Sequence, residues 1–157
     1  MNKKTRNRLL RFLITASIPA AGLAFLLIFP NYTQPEKISD AEIYELHCGN
    51  CHGKDGQGLK SLYPPLAGSD YLRDRQSELP CIIRYGLEGE IVVNGRSFNQ
   101  PMDGLPTLGV GEVTTIINYV NNAWGNDYGK WKVAEVRKRW EACPDPAARP
   151  DSTGRQP

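Results

Sequence analysis

Apolar positions along the chain fall into several patterns, and the first is an uninterrupted block. Residues Phe12 to Phe29, FLITASIPAAGLAFLLIF, run for 18 positions without a charge. At a rise of about 1.5 Å per residue, such a helix is near the lower limit for crossing about 30 Å of hydrocarbon. Lys3, Lys4, Arg6, Arg8 and Arg11 precede it with no acid among them. That places residues 1–30, basic end and anchor together, with the N-terminus in the cytoplasm and the rest of the chain outside. A cleaved signal has a shorter apolar core that ends in a small-x-small site. Here Ala16, Ala20 and Ala21 lie in mid-run, and Pro-Asn-Tyr-Thr-Gln-Pro follows Phe29. The pattern predicts an uncleaved, single-pass anchor.

Residues 31–38 form a short polar linker, in which Pro30 and Pro35 oppose helix continuation. Ser39-Asp40-Ala41-Glu42 then has the form of a capping box, so a helix starts at Ser39. Ile43 and Tyr44 supply its inward face, and it runs into Cys48. Residues 53–69 are rich in Gly and Pro and read as loop. Leu79, Ile82 and Ile83 predict a short helix over 76–86, and Ile91-Val92-Val93 is a brief β-like run between Gly86, Gly89 and Gly95. The strongest periodicity follows: Val113, Ile116, Ile117, Val120 and Trp124 fall on one helical face, with Gly125 as the stop. Val133, Val136 and Trp140 repeat that spacing over 131–142 opposite a Lys/Arg-rich face. Residues 144–157, Pro-rich and polar, read as a disordered tail. The expected organisation is therefore anchor, linker, a domain over 39–126, an added helix over 127–143, and the tail.

Charge sharpens this division. The 157 residues carry a formal net charge of +2, but the basic N-terminus conceals the sign of the domain. Between Glu36 and Asn126 there are 7 basic residues against 12 acidic, and from Asp127 onward 7 against 5. A nucleic-acid footprint needs a basic patch on the folded domain, so nucleic acid is excluded as a partner. Hydrophobic residues make up 40% of the chain, which suits one soluble domain behind an anchor.

The chemistry concentrates at Cys48-Gly49-Asn50-Cys51-His52. Two thiols three positions apart each form a thioether to one of haem's two vinyl groups, and the adjacent imidazole projects at the iron; C-x-x-C-H is the attachment pattern of c-type haem. A closed zinc site needs four ligands, and His47, Cys81 and Cys143 offer no second paired motif. A thioredoxin-like pair needs a βαβ setting, whereas this motif ends a helix and precedes a glycine-rich loop.

With these residues in place, the chain resembles a class I bacterial cytochrome c over roughly residues 39–126. Tyr44, four residues before Cys48, matches the aromatic that precedes the haem motif there. His52-Gly53-x-Asp55-Gly56-x-Gly58 matches the usual continuation, and Pro64-Pro65-Leu66 matches the loop whose proline carbonyl accepts from the axial imidazole. Spacing favours Pro64 for that carbonyl, with Pro65 close behind. The resemblance implies an all-α fold of few helices around one covalent haem c, the Ile116–Trp124 helix crossing the first. It places the second axial ligand at Met102, the only methionine besides the initiator, although Pro101 precedes it where the family often reads Met-Pro. The ordinary role of such a residue is core filling. His47, beside Cys48 on the proximal side, is not a distal ligand.

Cys81 and Cys143 remain once the haem takes two thiols. An even remainder outside the cytoplasm favours a disulfide, against two unrelated buried thiols. Tyr44, Tyr119 and Trp124 read as helix-packing residues, Trp131 and Trp140 as cover for the domain. Lys132, Arg137, Lys138 and Arg139 read as a solvated face, or one that touches anionic headgroups or an acidic partner. No catalytic constellation is present. The sequence therefore leads to a non-enzymatic electron carrier at the outer, periplasmic face of the bacterial cytoplasmic membrane, meeting redox partners of a respiratory chain through complementary charge. Its alternative is a haem subunit of a larger membrane-bound oxidoreductase: a respiratory oxidase, a quinol-oxidising complex or a periplasmic dehydrogenase. A ligand-binding sensor or peroxidase needs an open iron position, which a bound Met102 removes.

Overall fold

A computed structural model describes residues 37–144, together with Phe25 and Leu27. The chain divides into two units, Met1–Lys37 and Ile38–Pro157, and the described residues belong almost wholly to the second. The anchor expected over Phe12–Phe29 lies outside the described residues except for Phe25 and Leu27. Among the described residues no helix is long and apolar enough to cross a membrane. The expected tail likewise lies outside from residue 145.

Helix α1, Asp40–His47, opens with both halves of its capping box. Glu42 N–H donates to Ser39 Oγ at 3.2 Å, and Ser39 N–H donates to Glu42 Oε2 at 2.7 Å, so two otherwise unpaired donors are satisfied reciprocally. Cys48 ends α1 and starts the single turn α2, Gly49–His52. Ser69 caps α3, Asp70–Asp74, by accepting from Leu72 N–H. In place of one helix over 76–86, a 3₁₀ turn at Gln76–Glu78 leads into α4, Leu79–Tyr85. Pro80 explains the break: without an N–H it fits the first turn of a helix but not its interior.

The fold is mostly helical, which fits the expected all-α class, with a minor β component that the sequence showed only in part. Two short antiparallel pairs interrupt the helices: β1, Gly86–Leu87, pairs with β4, Met102–Asp103, and β2, Ile91–Val93, with β3, Arg96–Phe98. The β2–β3 loop is Asn94-Gly95, with φ of 50° and 74°, both left-handed as a type I′ hairpin turn requires. Asp70 and Asn94 each accept the other's backbone N–H through a side-chain oxygen, which fastens this hairpin to α3. Strands of two or three residues are too short to show alternation, so only Ile91–Val93 was visible as a run.

Helix α5, Val110–Asn122, buries Val113, Ile116, Ile117 and Val120 against Tyr44, Leu72, Leu79 and Ile83. It stops short of the expected end at Gly125. Tyr128 N–H donates to Asn121 O, and Asn126 Nδ2 donates to Val120 O, which satisfies carbonyls of the last turn. Trp124 leaves the helix at φ 54°, yet its ring meets Tyr44 and Tyr119 edge-on at 5.0 and 5.4 Å. Helix α6, Val133–Glu141, buries Val136 and Trp140 on the same core. Cys81 of α4 and Cys143, two residues past α6, form a disulfide with a Cα–Cα distance of 5.4 Å.

Candidate cofactor-binding site

The C-x-x-C-H segment occupies one helical turn. Cys51 and His52 N–H both donate to Cys48 O, at 3.2 and 3.0 Å, so Cys48 and Cys51 lie at i and i+3 on neighbouring positions of one helical face. Cys48 is half-buried and Cys51 exposed, and both are free thiols. Burial pushes the Cys48 thiol up to about 11, with the neighbouring Cys51 adding to the effect.

The glycine-rich loop folds back onto this turn. Gly58 N–H donates to His52 O at 2.8 Å, and Leu66 and Ala67 N–H both donate to Gly56 O. Tyr44 Oη donates to Gly53 O at 2.7 Å, fixing the chain as it leaves His52. The loop thereby brings the Pro64 carbonyl 3.0 Å from His52 Nδ1. A carbonyl only accepts, so Nδ1 carries the proton, and in the neutral ring Nε2 keeps its lone pair. Burial holds the imidazole below its ordinary pKa, with the Pro64 bond opposing that shift. A neutral, oriented ring is the form in which histidine binds a metal.

An apolar cavity, partly open to solvent, lies beside this turn. Leu72, Leu79, Ile83, Val93, Ile116 and Ile117 wall it, while Cys48, His52, Pro64 and Met102 also face it. Met102 reaches the cavity on β4, fifty positions beyond His52, because Leu87 of β1 pairs with it. The other predicted pair, Cys81 and Cys143, braces α4 from behind rather than joining the site. His47 is not among the lining residues.

Sequence reasoning missed several residues that shape the site. Asn126, buried, donates to Leu66 O and accepts from Gly68 N–H, tying the loop after Pro64 to the end of α5. Gln76 and Asn121 exchange two amide hydrogen bonds of 2.9 and 2.7 Å, and Trp131 Nε1 donates to Gln76. Asn after Gly reads as a turn, and no signal in the sequence marked these partners.

The residues fit a haem tethered by two thioethers: the cavity is apolar, Cys48 lines it with Cys51 one turn on along the same helix, and a neutral imidazole and a thioether both face it. Among the described residues no group of three or more His, Cys, Asp or Glu is arranged to hold a bare metal ion. Such a site belongs to small electron-transfer domains with covalent haem. Residues 41–124, more than half of the chain, match the cytochrome c family, and the chain belongs to that family. Cytochrome c-552 of Thermus thermophilus is 34% identical over 90 residues, 55% of this chain and 68% of that protein. Alcohol dehydrogenase (quinone), cytochrome c subunit, of Gluconobacter oxydans (strain 621H) is 30% identical over 102 residues, 62% of this chain but 21% of that protein. The cofactor is accordingly covalent haem c, and the function is electron transfer.

Proposed function

We propose that the chain carries one electron on a His52/Met102-ligated haem c, tethered by Cys48 and Cys51, at the outer face of the cytoplasmic membrane. The observation that carries this reading is that His52 and Met102, distant in sequence, face one apolar cavity with Cys48. When bound, the haem supplies a one-electron couple. Cys48 and Cys51 prevent its loss. His52 presents Nε2, oriented by the Pro64 carbonyl, and Met102 supplies a soft, uncharged sulfur that favours the reduced state and raises the potential. The aliphatic walls would line an apolar pocket around the haem, and with His52 and Met102 both holding it no position would be left open for a substrate. Met102→Ala tests the ligation: it abolishes the weak near-infrared sulfur-to-iron band and lowers the potential. A native protein without that band overturns it.

The charge-free run Phe12–Phe29 behind five basic residues supports the membrane placement. A mature protein lacking its first 20–30 residues, roughly the length of a cleaved signal, overturns it. The similarity to a dehydrogenase's cytochrome c subunit favours a second reading, a haem subunit of a larger membrane-bound oxidoreductase. Extraction in mild detergent separates the two: a free carrier leaves alone, whereas a subunit leaves in one stoichiometric complex. In either setting the acidic domain, 7 basic against 12 acidic residues over 36–126, favours redox partners that present positive charge.

A further inference from the structure

We infer that Gly86 and Gly104 are positioning residues for the Met102 thioether, setting by backbone contact how deeply the β4 strap enters the cavity. The inference rests on Met102 being the axial ligand. At the end of α4 the chain turns through Gly86, at φ +80°, and β1 lays Leu87 opposite Met102. A Cβ at Gly86 collides with the Met102 carbonyl oxygen and lies 2.9 Å from Gly104 N. A Cβ at Gly104 lies 2.6 Å from both Arg84 O and Tyr85 C. Every one of these neighbours is backbone, so none can rotate aside as the end of a side chain does.

Leu105 N–H donates to Ile83 O at 2.7 Å just past this crossing, so the strap is held by β1 before Gly104 and by α4 after it. Helix α4 is itself fixed. Its Leu79, Ile82 and Ile83 wall the cavity, Cys81 is bridged to Cys143, and the Arg84 guanidinium donates to Trp140 O. The strap must therefore yield to an added methyl. Restoring an ordinary carbon contact of about 3.5–4.0 Å moves it outward by roughly 1 Å, on a residue whose sulfur has to meet one fixed point.

The test compares Gly86→Ala, Gly104→Ala, Gly95→Ala and Met102→Ala in the haem-loaded protein. Readouts are the near-infrared band and the affinity of the oxidised protein for added imidazole. Gly95 has φ +74° but open space around it, so its substitution strains a turn without pressing on the strap. Gly104 lacks a left-handed φ, so its substitution adds pressure without torsional strain and carries the test where Gly86→Ala does not accumulate. The expected result is loss or weakening of the band in Gly86→Ala and Gly104→Ala, with imidazole affinity raised about tenfold or more, a change of about 1.4 kcal/mol. Gly95→Ala stays at the wild-type value in both. A haem-loaded Gly104→Ala with band and affinity unchanged overturns the inference, as does an equal effect in Gly95→Ala. A Met102→Ala protein that keeps the band overturns the ligation instead, whatever the glycine variants do.

Discussion

His52 Nδ1 donates to the Pro64 carbonyl across 3.0 Å, joining the proximal imidazole to a loop that only the fold of its own glycines brings within reach. Gly58 is the close neighbour that permits it: a Cβ there collides with Tyr63 O and lies 2.7 Å from Pro64 O. Gly58→Ala therefore pushes the carbonyl away from His52. A histidine that loses this bond is less basic and stabilises oxidised iron less. Redox titration is expected to give a higher potential than wild type, and denaturant titration a stability loss above about 1 kcal/mol from the left-handed φ. An unchanged potential in a folded variant contradicts the role given to the bond.

The Cys81–Cys143 disulfide spans 62 positions and ties α6 to the helix that walls the cavity. Replacing both cysteines by serine is expected to cost about 2–4 kcal/mol, read as a lower urea midpoint, while the visible haem spectrum is retained. Thiol labelling of the oxidised, denatured holoprotein checks the pairing directly: no thiol reacts when two are in thioethers and two in the bridge.

Asn121 is fully buried and shares reciprocal bonds with Gln76. Asn121→Ala removes two of the Gln76 amide's hydrogen bonds and leaves those to Leu72 O and from Trp131 Nε1, an expected loss of about 1–3 kcal/mol. The double variant Asn121→Ala with Gln76→Ala is expected to lose less than the sum of the two single changes, because neither amide is then stranded. Strict additivity in the urea titrations argues against a coupled pair.

Glu42 accepts from both the backbone N–H and the hydroxyl of Ser39, and these bonds hold its carboxyl below the ordinary value near 4.5. A depressed folded-state pKa adds stability above the unfolded value, and that stability is lost as pH falls through the folded one. The stability difference between wild type and Glu42→Gln is therefore expected to be constant near neutrality and to shrink below about pH 4.5. Urea titrations at a series of pH values measure it; a difference that grows on acidification has the wrong sign for this cap.

Much of the molecule was legible because its determinants are local. The Ser39–Glu42 box needs only a spacing of three, the apolar face of α5 only a period of 3.6, and Cys48, Cys51 and His52 share one turn whatever the rest of the chain does. What failed at this level failed for equally local reasons. Pro80 breaks the predicted 76–86 helix, and Asn126 and Tyr128 take up the carbonyls that end α5 before Trp124. The β1–β4 pair was invisible because two-residue strands carry no pattern and their partners are 17 positions apart at the Gly86–Asp103 pairing.

By itself the sequence determined the start of α1, the apolar faces of α5 and α6, the chemistry at residues 48–52, and the separation of acidic domain from basic ends. Each follows from neighbours a few positions apart. Only the tertiary structure decided that Pro64 meets His52, that Met102 faces the same cavity from β4, and that Cys81 and Cys143 lie within bridging distance. Those contacts depend on where the loop and strap cross helices already packed, and the close backbone approach at Gly86 and Gly104 becomes visible only once both segments are in place.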